Sequence, residues 1–500
     1  MESDRGIFIL TLLKKVFDKL IYQGKYPAID INMSDSNIGA RRGKNIKNHL
    51  FIIYGIIHSV LYEEKSCIDI QIYDIVKAFD KLWLEDCMID LYDSLPREQQ
   101  DDQLALIYQA NNNNQVAVNT PVGITERVNI QNIVTQGGVF GPLQCSNSID
   151  TIGKKCYQKG EHLYSYKGLV PVMPLSMVDD LLAVAPCNQR SLALNTFINA
   201  QIELKKLKFH TPDVNGKTKC HVLHIGKENQ LCPTLQVHGT DMIRVSEDTY
   251  LGDIIASNGK NTKNIANRIQ KGHGKITEIM TMLETTPLGP HYFKTALLLR
   301  ESLFLNSILT NADIWVGLTS EEIKQFENLD LILLRKFLKT PFSVPAEAVY
   351  LELGCINIGT MIKARRCNYL HYLVKQREST MLNSFFMAQW KYPTTNDWTE
   401  QVKTDLTDFD LPTDLDLIKA KSTFSFNALV KRKSIEYAFF SYLEKKQNHS
   451  KLDNLFYRGL NLQKYLCDEK LTCSQAQVVF RGDSLSSSHV FTHSVRFYQI

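Results

Sequence analysis

The chain has 500 residues, 44 % apolar and 22 % charged, with a net charge of +4. This length exceeds what one hydrophobic core organises, so several domains are expected. The small net charge confines any nucleic-acid surface to a local patch, and no apolar run reaches the roughly twenty residues of a membrane span. Eleven cysteines, an odd number with no Cys-x-x-Cys pair, argue for reduced thiols in an intracellular protein and against a disulfide framework or a simple zinc site. Met1-Glu-Ser-Asp-Arg5 lacks the basic-then-apolar pattern of a secretion signal. No repeat of solenoid period is visible.

A helix-like run through Leu20 leads to a basic, turn-rich loop, 34–45, carrying Gly39, Arg41, Arg42, Gly43 and Lys44. The glycines allow close backbone approach to a ligand, and Arg binds phosphate bidentately, so a triphosphate is the natural partner. Ile46, Leu50, Ile53, Ile57 and Val60 then form a helical stripe. Ile68, Ile70, Ile72 and Asp74 fall at period two, the pattern of a strand that delivers Asp74 to its end. An amphipathic helix over 82–95 stops before Pro96. Residues 111–133 alternate as a β-hairpin around Gly123. Thr135-Gln-Gly-Gly-Val-Phe-Gly-Pro-Leu143 reads as a glycine-rich turn opening a helix, with Gln136 able to hydrogen-bond a base pair lying against Gly137.

Pro174-Leu-Ser-Met-Val-Asp-Asp-Leu-Leu-Ala-Val-Ala185 places two carboxylates inside an apolar run. It reads as two buried strands joined by a tight turn whose unusual backbone angles Asp can adopt. Adjacent carboxylates need a neutralising cation, and hard Mg²⁺ favours their oxygens. Asp74, Asp179 and Asp180 together suit a two-metal cage that activates a hydroxyl and stabilises a leaving pyrophosphate. A helix over 191–207, a basic turn with Lys217 and Lys219, a strand, and a hairpin over 248–256 follow. Beyond them Ile265, Ile269, Ile276, Ile279 and Leu283 mark a helix whose other face is basic, with seven Lys/Arg against two Asp/Glu over 259–300. Helical patterns continue over 321–338, 358–374, 379–390, 413–446 and 450–466. The Ser-rich tail, 481–500, is weakly patterned.

In this order, the basic glycine loop, Asp74-x-x-x-x-Phe79, Gln136-Gly-Gly with Pro142, Met177-Val-Asp-Asp180, Lys219 and Tyr250-Leu-Gly252 resemble the reverse transcriptases of non-LTR (LINE-type) retrotransposons. Tyr350-Leu-Glu-Leu-Gly354 and Arg365-Arg366 resemble that family too, and the likeness spans about residues 5 to 480. It implies an α+β right-hand polymerase: fingers (1–62), an antiparallel-sheet palm (63–258, with a fingers insertion at about 96–135), a helical thumb (259–340), and a mostly α-helical C-terminal region (341–480). The implied activity is RNA-directed DNA synthesis with two Mg²⁺ ions, Mn²⁺ being able to substitute. An RNA template, a DNA or RNA primer and dNTPs would be its partners, without membrane attachment and with nuclear residence.

The same resemblance assigns Asp74, Asp179 and Asp180 to metal binding, Lys219 to the general-acid position, and Gln136 and Gly137 to the template–nucleotide contact. Arg41, Arg42 and Lys44 would hold triphosphate. Phe79 would lie under the incoming sugar and exclude a 2′-hydroxyl. Tyr250, Leu251 and Gly252 would form the primer grip. Met177 and Ala40 replace residues that are commonly aromatic in the family. No apurinic-type endonuclease precedes the polymerase and no Cys/His knuckle follows, as in a reading frame cut from a longer element. The alternatives are an RNA-dependent RNA polymerase, which Phe79 opposes, and a catalytically silent remnant that binds nucleic acid.

Overall fold

The computed structural model describes residues 12–112, 114–117, 119–130, 140–213, 216–227, 232–447, 457–468, 474–475 and 477. They divide into two compact units. The first runs to Gly259 and also takes in Arg377–Thr394; the second comprises Lys260–Gln376 and the chain from Thr395 on.

The first unit is built on a five-stranded sheet. Its strands are β1 (Cys67–Asp74), β2 (Leu175–Met177), β3 (Asp180–Pro186), β4 (His221–Gly226) and β5 (Ile243–Val245), in the order β5-β4-β1-β3-β2. Only β4 and β5 pair in parallel. β1 lies at the centre, so both its faces are covered and all six interior residues are buried. One face carries Ile68, Ile70 and Ile72. The other carries Asp69, Gln71 and Tyr73, and their polar groups are satisfied across the sheet by helix α7.

The helices of this unit are α1 (Leu12–Asn32), α2 (Ile46–Ser59), the single turn α3 (Ala78–Lys81), α4 (Leu84–Ser94), α5 (Asp102–Asn111), α6 (Gly141–Lys159) and α7 (Gln189–Leu204). α2 departs from the stripe expected of it: every residue from Asn48 to Ser59 is buried, so the helix is enclosed rather than lying on a surface. Short antiparallel ladders pair Asn114–Val116 with Val128–Ile130 and Asn119–Thr120 with Gly123–Ile124, the hairpin expected around Gly123. The helix Met381–Lys391, which sequence order assigns to the C-terminal region, belongs to this first unit. Phe385 stacks on Tyr166 with ring centroids 3.9 Å apart, and Asp35 accepts a hydrogen bond from the Leu382 backbone. Gly55 of α2 is required there, because a Cβ would lie 2.8 Å from the Phe385 ring.

The second unit is helical: α8 (Thr262–Thr285), α9 (Ser320–Leu338), α10 (Ile358–Val374), α11 (Trp398–Asp408) and α12 (Thr423–Lys446), with shorter helices between. α9 starts with a Thr319/Glu322 capping box. The α8 pattern holds, with Ile265, Ile276, Ile279 and Leu283 buried, yet the basic face is weaker than the residue count implies. Arg268 is buried on the apolar side, and Arg300 makes a bidentate pair with Asp330 at 2.7 Å inside the core. Arg365 and Arg366 are also internal, bonded to the Leu309 carbonyl and to Asp405. Their charge serves packing rather than an outer surface. Residues 450–456 of the helix expected over 450–466 lie outside the described residues, and 464–467 form a 3₁₀ turn.

Candidate functional site

β1 and β3 pair antiparallel, with Asp74 directly opposite Asp180. Opposed residues in such a ladder project to the same face, so the two carboxylates stand together at one end of the sheet. β2 and β3 are joined by a two-residue turn, Val178-Asp179, with Met177 opposite Asp180. The unusual backbone angle falls on Val178, at φ 60°, and not on an aspartate as the sequence suggested. The first position of such a turn favours glycine, and a β-branched residue there is strained. Val178 is held by packing against the sheet's core.

Asp74 and Asp180 line a pocket of about 220 Å³ together with Lys219, His221 and Asp248. Lys219 Nζ lies 3.1 Å and His210 Nε2 3.0 Å from Asp74 Oδ2. Lys219 is more than half exposed, so its pair with Asp74 is water-screened. Asp248 binds His221 at 2.6 Å, and this hydrogen bond raises the imidazole's pKa against the opposing effect of burial. Asp248 is the carboxylate that sequence reasoning missed; its position opening the 247–250 strand is the signal that could have found it.

Asp179 does not line this pocket. The pKa of the buried Cys145 thiol of α6 is raised by burial, then by Cys87, and last by the charge of Asp179. Among the described residues, the one group of three His, Cys, Asp or Glu ligands lying within 4.8 Å of one another is found elsewhere. Asp74 and Asp180 stand as a facing pair on the pocket, and Asp179 sits beside them in the β2–β3 turn. The donor set remains all-oxygen and anionic, which fits a hard divalent cation.

The other predicted residues separate clearly. Phe79, on α3 five residues beyond Asp74, packs half-buried against the sheet's core. Gln136 and Gly137 lie outside the described residues. Arg41 is not available to phosphate: its side chain is 4 % exposed, and its guanidinium is bonded to the Asp30 carboxylate at 2.6 Å and to the carbonyls of Asp30, Ser34 and Asn37. It closes the 34–45 loop from within. Arg42 is exposed and rests over the rings of Tyr22 and Tyr26, 5.5 and 5.2 Å from their centroids. Burial and the neighbouring Arg41 lower the pKa of Lys44.

The Tyr250-Leu-Gly segment forms the turn between β6 (Glu247–Tyr250) and β7 (Asp253–Ala256), with φ 48° at Leu251 and 84° at Gly252. Two consecutive positive values define a type I′ turn, which tolerates glycine but strains leucine. Leu251 reaches the pocket's wall. Tyr250 is 3 % exposed, and its hydroxyl donates to His49 Nδ1 at 3.0 Å. His49 Nε2 lies 2.8 Å from the Ser36 carbonyl, which can only accept. Burial brings the His49 pKa down to about 3, so the ring is neutral and Nδ1 accepts from Tyr250. The hydroxyl of Tyr250 thus joins the hairpin to α2 and the 34–45 loop instead of gripping a primer.

No protein-family model matches the chain, and no curated protein is found similar to it. Solved structures that align with it include telomerases of two yeasts. A Candida tropicalis telomerase truncated from its C-terminal domain is 12 % identical over 50 % of this chain and 48 % of that one, with a TM-score of 0.32. Candida albicans telomerase, solved with a TWJ fragment of telomeric RNA, is 11 % identical over 82 % and 57 %, with a TM-score of 0.33. The apo Candida tropicalis enzyme is 10 % identical over 77 % and 61 %, with a TM-score of 0.34. The chain thus spans about half to three fifths of these structures' length. Among the described residues no helix is long and apolar enough to cross a membrane.

Proposed function

We propose that the chain is an RNA-directed DNA polymerase of the LINE-type retrotransposon class, with a right-hand architecture whose palm is the five-stranded sheet. The observation that carries this reading is the register of Asp74 against Asp180 at a sheet end that opens into a polar pocket. Asp74 and Asp180 would hold Mg²⁺, with Asp179 in the same turn completing the carboxylate set. Bound there, the ion would supply acidification of a primer 3′-hydroxyl and neutralisation of a triphosphate.

The protein's own part is positioning and charge. The strained Val178 turn fixes the carboxylates on rigid strands rather than on a loop. Lys219 and His210 stand beside Asp74, and Lys219 supplies an exchangeable cation there. Phe79 limits the space under the incoming sugar. A second reading, a remnant that binds nucleic acid without synthesis, is favoured by one feature: Lys219 and His210 already lie within 3.1 Å of the Asp74 carboxylate.

The deciding experiment is Mg²⁺- or Mn²⁺-dependent extension of a primed RNA template by the purified chain, with dNTPs and NTPs compared. Extension with dNTPs that is lost in Asp74→Asn supports the polymerase. Template binding without extension under either metal supports the silent remnant, and equal use of NTPs supports the RNA polymerase alternative.

A further inference from the structure

At the end of β1 opposite Asp74, the structure gathers three cysteines and a histidine that lie far apart in sequence. Cys67 opens β1, Cys187 follows β3, His224 lies in β4, and Cys232 lies just beyond it. The ligand atoms of Cys187, His224 and Cys232 are all within 4.8 Å of one another. Cys67 stands beside them, its carbonyl accepting from the Cys187 backbone N–H at 3.1 Å. None of the three cysteines is in a disulfide.

His224 is the informative member. Its Nδ1 lies 3.0 Å from Asp69 Oδ1, and Asp69 is wholly buried, bonded also to Ser191 and Arg244. A carboxylate so held accepts, so Nδ1 donates to it and Nε2 is the ring nitrogen left to face the thiols. The His224 side chain is 90 % buried and Nε2 has no hydrogen-bond partner. An unpartnered buried nitrogen is rare in native proteins. A carboxylate oriented on the far nitrogen of a histidine is the usual outer support of a metal-ligating imidazole.

We propose that Cys67, Cys187, Cys232 and His224 bind a structural zinc ion at this end of the sheet. Three thiolates and one imidazole are a common closed zinc set and a poor one for Mg²⁺. Zinc–ligand bonds of the usual length put neighbouring ligand atoms about 3.6–3.8 Å apart, so Cys187, His224 and Cys232, within 4.8 Å, need to contract by at most about one ångström, and the Cys67 thiol, outside that group, closes in as the fourth ligand. Four ligands from three strands and the segment beyond β4 leave no open position for substrate, and the ion's work is to fasten that segment to the sheet. The Cys-x-x-Cys criterion fails here because the ligands are neighbours across strands rather than along the chain.

Zinc in the full-length chain, measured by mass spectrometry after dialysis against metal-free buffer, is expected at about one ion per chain. Cobalt substitution is expected to give thiolate charge-transfer bands and the strong ligand-field absorption of a tetrahedral site. Cys232→Ser, at the half-exposed ligand, should lose most of the metal while keeping its far-ultraviolet circular dichroism. Cys467→Ser should retain it. A folded wild-type chain without zinc or cobalt bands would overturn the site, as would zinc content unaffected by Cys232→Ser or a Cys187–Cys232 disulfide found by peptide mapping. The metal readouts are independent of primer extension, so this proposal and the polymerase reading can fail separately.

Discussion

The two ends of β1 differ in chemistry though they share one strand. At the C-terminal end, Asp74 faces Asp180 on a pocket, with the water-screened Lys219 beside it and strained turns on both neighbouring hairpins. At the N-terminal end and on the opposite face, Cys67 and Asp69 are packed beneath α7 beside His224, with every polar group but one accounted for. One end is arranged for exchange with solvent and ligand; the other is arranged for permanence. Hard oxygen donors suit the first and soft sulfur donors the second.

Substitutions can break this contrast. Asp74→Ala or Asp180→Ala should lower primer extension by about a thousandfold or more, the scale at which charge-stabilising groups act in phosphoryl transfer. The melting midpoint should change little, since Asp74's partner Lys219 is exposed. Single-turnover extension and thermal denaturation, compared on one preparation, check both halves. Unaltered extension in either variant removes the acidic end from the active site.

At the other end the effect should be reversed. Asp69→Ala leaves Arg244 and His224 without their buried acceptor and is expected to cost about 3 kcal/mol of stability. Burial pushes the Asp69 carboxyl up, but hydrogen bonds from His224 and Ser191 and the Arg244 charge outweigh it, so its pKa is lowered on folding. Its contribution is therefore present above the usual carboxylate pKa and lost as pH falls through the lower folded value. Urea titrations of wild type and Asp69→Ala should converge under acid; parallel curves at all pH values would refute the linkage.

Smaller effects test the pocket's walls. Tyr250→Phe should cost about 1–2 kcal/mol by leaving His49 Nδ1 without its donor, with primer affinity unchanged because the hydroxyl faces inward. A primer-affinity loss without destabilisation would restore the gripping role. His221 has a raised pKa in the fold, so its pair with Asp248 stabilises fully below the imidazole's ordinary pKa and is lost as pH rises through the higher folded value. His221→Gln should flatten the stability profile on that alkaline limb. The smallest change expected is a gain: Leu251→Asn relieves a positive φ and should add about 0.5–1 kcal/mol, read as a raised denaturation midpoint.

Much of this was legible along the chain. The period-two run ending at Asp74, the hairpin over 248–256 and the α8 stripe appear as read, because each depends on neighbours two to four residues apart, whereas the acidic hairpin turns at Val178-Asp179, one residue before the expected tip. The roles of arginines were not legible. Arg41 and Arg300 look like ligand-binding charge in sequence, and both are internal braces in the fold. Nothing in a basic loop or helix states whether an acid will be folded against it.

Sequence alone therefore determined the strands, the helices and which residue types stand at their ends. It could not determine what covers them. The alternation of Ile with Asp69, Gln71 and Tyr73 describes a half-wet strand, yet α7 covers the polar side and makes it a bonded interior. Facing Asp74 with Asp180 and collecting Cys67, Cys187, His224 and Cys232 at one edge were both decided by strand register. Register is fixed by packing the whole sheet at once, and residues more than a hundred positions apart carry no local trace of it.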